Sequence, residues 1–145
     1  MTLETIQPGL KGEIRLVVAE EHTARHLGSG GVKVLATPQM VLLMERAGVA
    51  AVDPLLPDGY RTVGARLDVR HLAPTPIGFE VTATAELIAV EGRKLIFRVQ
   101  AHDGVELVGE GIHERAIINL SRFGERVAQK EQKHRGQAVL NHPAP

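Results

Sequence analysis

Three side chains in this chain of 145 residues have types and positions that could do chemistry together: Thr37, Glu45 and His71. Thr37 precedes Pro38 at the head of an apolar run. That is a helix start, where a hydroxyl caps backbone N–H groups and proline fits the first turn. The free N–H groups and the helix dipole at such an end favour negative charge. Pro38 brings no N–H, so Gln39 and Met40 are the expected substrate-binding donors, and Gly64 offers a further close backbone approach. An oxyanion could sit among these groups. Glu45 lies inside the same apolar run, and a carboxylate in a buried helix must be paired, protonated or functional. His71 closes an alternating strand on its apolar face, where it could shuttle a proton while Glu45 orients it or activates water. The plain alternative is that Thr37 only caps, Glu45 only pairs with an arginine and His71 only packs.

These side chains depend on the elements that carry them. From Met40 to Val52 the run is apolar nearly all round, which predicts a buried helix, and with Glu45 and Arg46 inside it is a poor membrane span. Eight residues of helix separate Thr37 from Glu45, a rise of roughly 12 Å. A direct bond between them in one chain is therefore not expected. The geometry favours a site at the interface of a dimer.

Around the helix the pattern is β. Strands are predicted over Gly12–Glu20, Thr62–His71, Phe79–Leu87, Leu95–His102 and Val105–Leu120, each alternating apolar with polar positions. Val90–Arg93 turns the chain, and Asp103-Gly104 is a strong hairpin signal. Gly109 and Gly111, on one face of the last strand, would let another backbone or the helix come close. One long helix wrapped by one curved antiparallel sheet satisfies this order, an α+β hot-dog arrangement over residues 1–120. Residues 121–145 read as a short helix, Ser121–Gln132, and a mobile C-terminal tail. Unpaired sheet edges are covered most simply by a second copy, so a homodimer or higher homo-oligomer is expected.

Composition narrows the function. Lys plus Arg and Asp plus Glu are each 17, a formal net charge of +0, which gives no general pull toward nucleic acid or membrane. With one Tyr, three Phe and no Trp, base-stacking platforms are scarce. No cysteine is present, so disulfides, thiolate metal sites and thiol nucleophiles are excluded. Met1–Lys11 lacks a cationic start with an apolar core, and a cytoplasmic protein is expected. His22 and His26 are four apart, but no Glu accompanies them and glycines follow, so no metal site is expected.

Further segments accompany the three residues: Val34-Leu35-Ala36-Thr37, Met40–Glu45, Gly64, Val69-Arg70-His71, Pro76-Ile77-Gly78, Val90-Glu91-Gly92-Arg93, Ala101–Gly104 and His113-Glu114-Arg115-Ala116. In this order, from about His22 to Lys130, the chain resembles the fluoroacetyl-CoA thioesterase family of hot-dog proteins. The resemblance implies a catalytic set of Thr37, Glu45 and His71 with Gly64 as the active-site glycine. It also implies an acyl-CoA substrate, with coenzyme A as part of the substrate and no separate cofactor. The specialised fluoroacetyl enzyme carries phenylalanines in a lid before its threonine, where this chain reads Gly28-Ser29-Gly30-Gly31. The departure implies a more open acyl pocket and a more general small or medium acyl-CoA. Arg66, Arg70, Arg93 and Lys94 could meet the phosphates of coenzyme A or serve as solvated strand charges. Other classes are a non-catalytic acyl-CoA sensor and a hot-dog enoyl-CoA hydratase, for which Asp68 points away from His71.

Overall fold

The computed structural model describes residues 4–141. In chain order it contains β1 (Lys11–Val17), α1 (Ala24–Leu27), α2 (Thr37–Val52), β2 (Tyr60–His71), β3 (Glu80–Glu91), β4 (Lys94–His102), β5 (Leu107–Asn119) and α3 (Leu120–Asn141). Short 3-10 turns occupy Glu20–His22 and Asp53–Leu55. All strand pairs are antiparallel in the order β1-β3-β4-β5-β2, so β2 crosses to the far edge and pairs with β5. The α+β hot-dog arrangement expected from the alternation is the one observed.

The core explains this order. Val81, Ala83, Ala85 and Leu87 of β3 and Leu95, Phe97, Val99 and Ala101 of β4 alternate inward and are buried against α2. Full burial of Phe97 alone contributes on the order of 2–3 kcal/mol. Gly12 lets β1 lie on the helix, because a Cβ there would meet the Ala47 carbonyl and the Ala51 N–H. Gly109 does the same for β5 against Met40, and Gly111 against the β2 backbone at Asp68, as their alternation suggests.

Several expectations change. Helix α2 buries Met40, Leu43, Met44, Ala47, Gly48, Ala51 and Val52, while Leu42 stays 45% exposed. Burial all round fails because the sheet covers only one face of the helix. The first strand ends at Val17, where the chain turns into the Glu20–His22 segment, and the last begins at Leu107, after a loop knotted by Asp103. The C-terminal helix is not short: it runs from Leu120 to Asn141. The expected mobile tail therefore overlaps a helix, and residues 142–145 lie outside the described residues. Among the described residues no helix is long and apolar enough to cross a membrane.

Candidate active site

Thr37 occupies the first turn of α2, but it does not cap the helix. Ala36 holds the cap position, and no side chain bonds the first-turn amides. The N–H groups of Gln39 and Met40 both donate to the Ala36 carbonyl, at 3.0 and 3.1 Å. These two expected oxyanion donors are thus engaged inside the helix, and the Met40 side chain is buried in the core. Freed from capping, the Thr37 hydroxyl lies 2.7 Å from His71 Nδ1 at the end of β2.

That pair has the geometry of a nucleophile and its base. With the ring proton on Nε2, the Thr37 hydroxyl donates to Nδ1. His71 Nε2 is then a buried donor with no hydrogen-bond partner among the described residues. Burial pushes the His71 pKa below the ordinary histidine value, offset in part by the Ala73 backbone, so the ring favours its neutral, basic form. The pair faces a cleft of about 370 Å³ whose walls include Ala24, Val32, Leu35, Leu72 and Pro74. Ser29 and Gly30 of the glycine-rich stretch before Thr37 border this cleft, and a Cβ on Gly30 would meet only the Ala24 methyl, at an ordinary 3.5 Å. The pocket is open on that side.

Glu45 belongs to a different cluster. A Cβ added to Gly64 would lie 3.1 Å from Glu45 Oε2, 3.6 Å from His113 Cε1 and 3.7 Å from Arg115 Nη1. Gly64 therefore leaves room for the Glu45 carboxylate beside a buried histidine and a buried arginine. Arg115 Nε donates to Thr62 Oγ1 at 2.8 Å and Nη2 to the Thr62 carbonyl at 3.1 Å. Asp53 in turn accepts from the Thr62 hydroxyl and N–H. Arg115 Nη1 donates to His113 Nε2 at 3.0 Å, so His113 carries its proton on Nδ1 and donates it to the Arg66 carbonyl at 2.8 Å. His113 is held neutral: burial lowers its pKa, the Arg66 carbonyl opposes that, Arg115 lowers it further, and Glu45 opposes. Burial likewise lowers the Arg115 pKa, with Asp53 and Glu45 opposing.

The structure thus brings Thr37 to His71, at the start of α2 and the end of β2, and Glu45 to Gly64, in the middle of both elements. Glu45 is roughly 12 Å along the helix from Thr37, and Gly64 roughly 23 Å along the strand from His71. Sequence reasoning did not single out Thr62, Asp53, His113 and Arg115 as a cluster. The available signal was His113 and Arg115 at alternate, inward positions of a strand, where an arginine is rarely unpartnered. His22 accepts from the Ala19 N–H at 2.8 Å and lies outside α1, which carries His26, so the two histidines do not share a helical face. Arg66 pairs with Asp68 and Glu114, and Lys94 with Glu91 and Glu114.

Comparison with known proteins places the chain in a family. The sequence profile of the fluoroacetyl-CoA-specific thioesterase family matches residues 18–121. The chain belongs to this family. The fluoroacetyl-CoA thioesterase of Streptantibioticus cattleyicolor is 48% identical over 120 residues, covering 79% of this chain and 86% of that protein. A solved fluoroacetyl-CoA thioesterase superposes with a TM-score of 0.79 at 44% identity, covering 86% of this chain and 97% of its own. A hypothetical protein of Thermus thermophilus, a thioesterase superfamily member, superposes with a TM-score of 0.82 at 30% identity. It covers 94% of this chain and 99% of its own.

Proposed function

We infer that this family member is a thioester hydrolase that cleaves a small or medium acyl-CoA at the Thr37–His71 pair. The observation that carries the reading is the 2.7 Å contact between the Thr37 hydroxyl and His71 Nδ1, in a cleft open to an acyl chain. His71 takes the hydroxyl proton as Thr37 Oγ1 attacks the thioester carbonyl carbon. The tetrahedral adduct collapses, the C–S bond breaks, and the proton passes from His71 to the departing thiolate. Water, deprotonated by the same nitrogen, then releases the acid from Thr37. Coenzyme A enters as substrate and leaves as product, so it is not a resident cofactor.

The orphaned His71 Nε2 argues for a carboxylate from outside the chain. We propose that Glu45 of the partner subunit supplies it in a homodimer. β2 is a long edge strand, and Leu67 on it remains 38% exposed. Antiparallel pairing of two such edges about an axis between Leu67 and Asp68 would set His71 opposite Gly64 of the partner subunit. Glu45, seated over Gly64, would then face the imidazole. A chain without cysteine acting on a coenzyme A ester fits a cytoplasmic setting.

The test is release of free thiol from short, branched and aryl acyl-CoAs by the wild type and by Thr37→Ala, His71→Ala and Glu45→Gln, each checked for folding. Turnover by the wild type, lost in folded variants, supports the reading. Acyl-CoA bound without turnover would instead make the protein a sensor.

A further inference from the structure

The Thr37–His71 contact joins two segments that are 34 residues apart, so something must fix one against the other. The loop after His71 does this at Thr75 and at the neighbouring Val34–Pro76 bridge. Thr75 is fully buried, and its carbonyl accepts from the Leu35 N–H at 2.8 Å, two residues before Thr37. Its hydroxyl donates to Asp103 Oδ2 at 3.0 Å. Asp103, 7% exposed, accepts on Oδ1 from the N–H groups of Val105 and Glu106, both at 3.0 Å. Beside it, the Leu72 N–H donates to the Val108 carbonyl at 2.7 Å, directly after His71.

We propose, resting on the thioesterase reading, that Thr75 and Asp103 are positioning residues for the Thr37–His71 pair. Asp103 belongs to the β4–β5 connection, which does not line the cleft. Through the Thr75 hydroxyl it anchors the loop that carries both the cleft wall after His71 and the backbone acceptor for Leu35. Desolvation alone would push the Asp103 carboxyl up. The N–H groups of Glu106 and Val105 and the Thr75 hydroxyl outweigh it and hold the group below the ordinary aspartate value, as an anionic anchor. An ordinary turn aspartate needs only the two amides. The additional bond to a buried hydroxyl on another loop is what a turn role leaves unexplained.

The decisive variant is Thr75→Val, which keeps the shape and removes the hydroxyl, with Thr75→Ser as the rescue. We expect Thr75→Val to lower kcat by about 10-fold with KM changed less than about 3-fold, and Thr75→Ser to restore kcat to within about 2-fold. The second readout is the NMR titration of the His71 ring, which needs no turnover. As the pair loosens and water enters, its pKa should rise toward the ordinary histidine value in Thr75→Val and return in Thr75→Ser. If Thr75→Val does not fold, Asp103→Asn takes its place, with the same directions and a kcat loss of about 3-fold. A folded variant whose His71 titrates as in the wild type overturns the proposal, as does one with unchanged kcat. A wild type without thioesterase activity would sink the functional reading alone, since the titration still reports on positioning.

Discussion

The start of helix α2 and its later half, from Glu45 to the Asp53 cap, are built on opposite rules. At the Glu45 end, Asp53, Thr62, Arg115 and His113 satisfy one another through a continuous set of hydrogen bonds that ends on the Arg66 carbonyl. At the Thr37 end, an exposed hydroxyl meets a half-buried imidazole whose second nitrogen has no close hydrogen-bond partner among the described residues, beside an open cleft. Groups satisfied within the chain hold the fold, and groups left unsatisfied are set to receive something from outside it. The contrast predicts that substitutions at one end cost activity and at the other cost stability.

The largest separation should come from the open end. Thr37→Ala and His71→Ala should each lower kcat by about 10²–10⁴-fold while leaving the urea midpoint almost unchanged. Thiol release and equilibrium unfolding on the same samples check both halves. Arg115→Met should do the reverse in the first instance. It strips the donors from His113 Nε2, Thr62 Oγ1 and the Thr62 carbonyl, and should cost about 3–5 kcal/mol of stability. An Arg115→Met protein as stable as the wild type would remove the distinction between the two ends.

The glycines mark its limits, because Gly109 packs on Met40 near the Thr37 end and Gly64 only leaves room for Glu45. Gly109→Ala forces a Cβ against Met40 and within 2.8 Å of the Arg70 carbonyl, with little room for either to move, and should cost about 1–3 kcal/mol. At Gly64 the one tight contact of the added methyl is the far end of Glu45, at 3.1 Å, and that carboxylate can swing aside. Gly64→Ala should therefore keep its stability within about 0.5 kcal/mol. If Glu45 serves the partner's His71, its kcat should still fall by about 10-fold.

How much of this was legible from sequence follows the range of the interactions. Strand alternation on β2 to β5, the Gly92 turn and the close approaches at Gly109 and Gly111 are local signals, and they placed the sheet on the helix correctly. Thr37, Glu45 and His71 stood out as residue types in unusual places. The destination of the Thr37 hydroxyl did not, because Ala36 serves as the cap without a side chain and nothing local reveals that. The His113–Arg115–Thr62–Asp53 set joins residues as far as 53 positions apart, which no periodicity encodes. The length of α3 was underestimated because its charges read as a solvated end rather than as a helix.

The smallest effect is the most discriminating, because it asks whether the two ends meet across a dimer. Burial lowers the pKa of both His71 and His113, so the unfolded chain binds protons that the folded chain refuses. Stability should be complete above about pH 6.5 and fall as the pH drops toward the folded values. His113→Gln should flatten that acid-side loss in urea midpoints measured from pH 5 to 8, without moving the acid limb of kcat/KM. On the proposed mechanism that limb belongs to His71, which must be neutral to accept the Thr37 proton. A carboxylate facing His71 stabilises the imidazolium and raises its pKa, so Glu45→Gln should move the limb to lower pH by up to about one unit. A limb that stays in place would put Glu45 roughly 12 Å from the chemistry in the assembled enzyme too, and would return it to the wired, structural end of the helix.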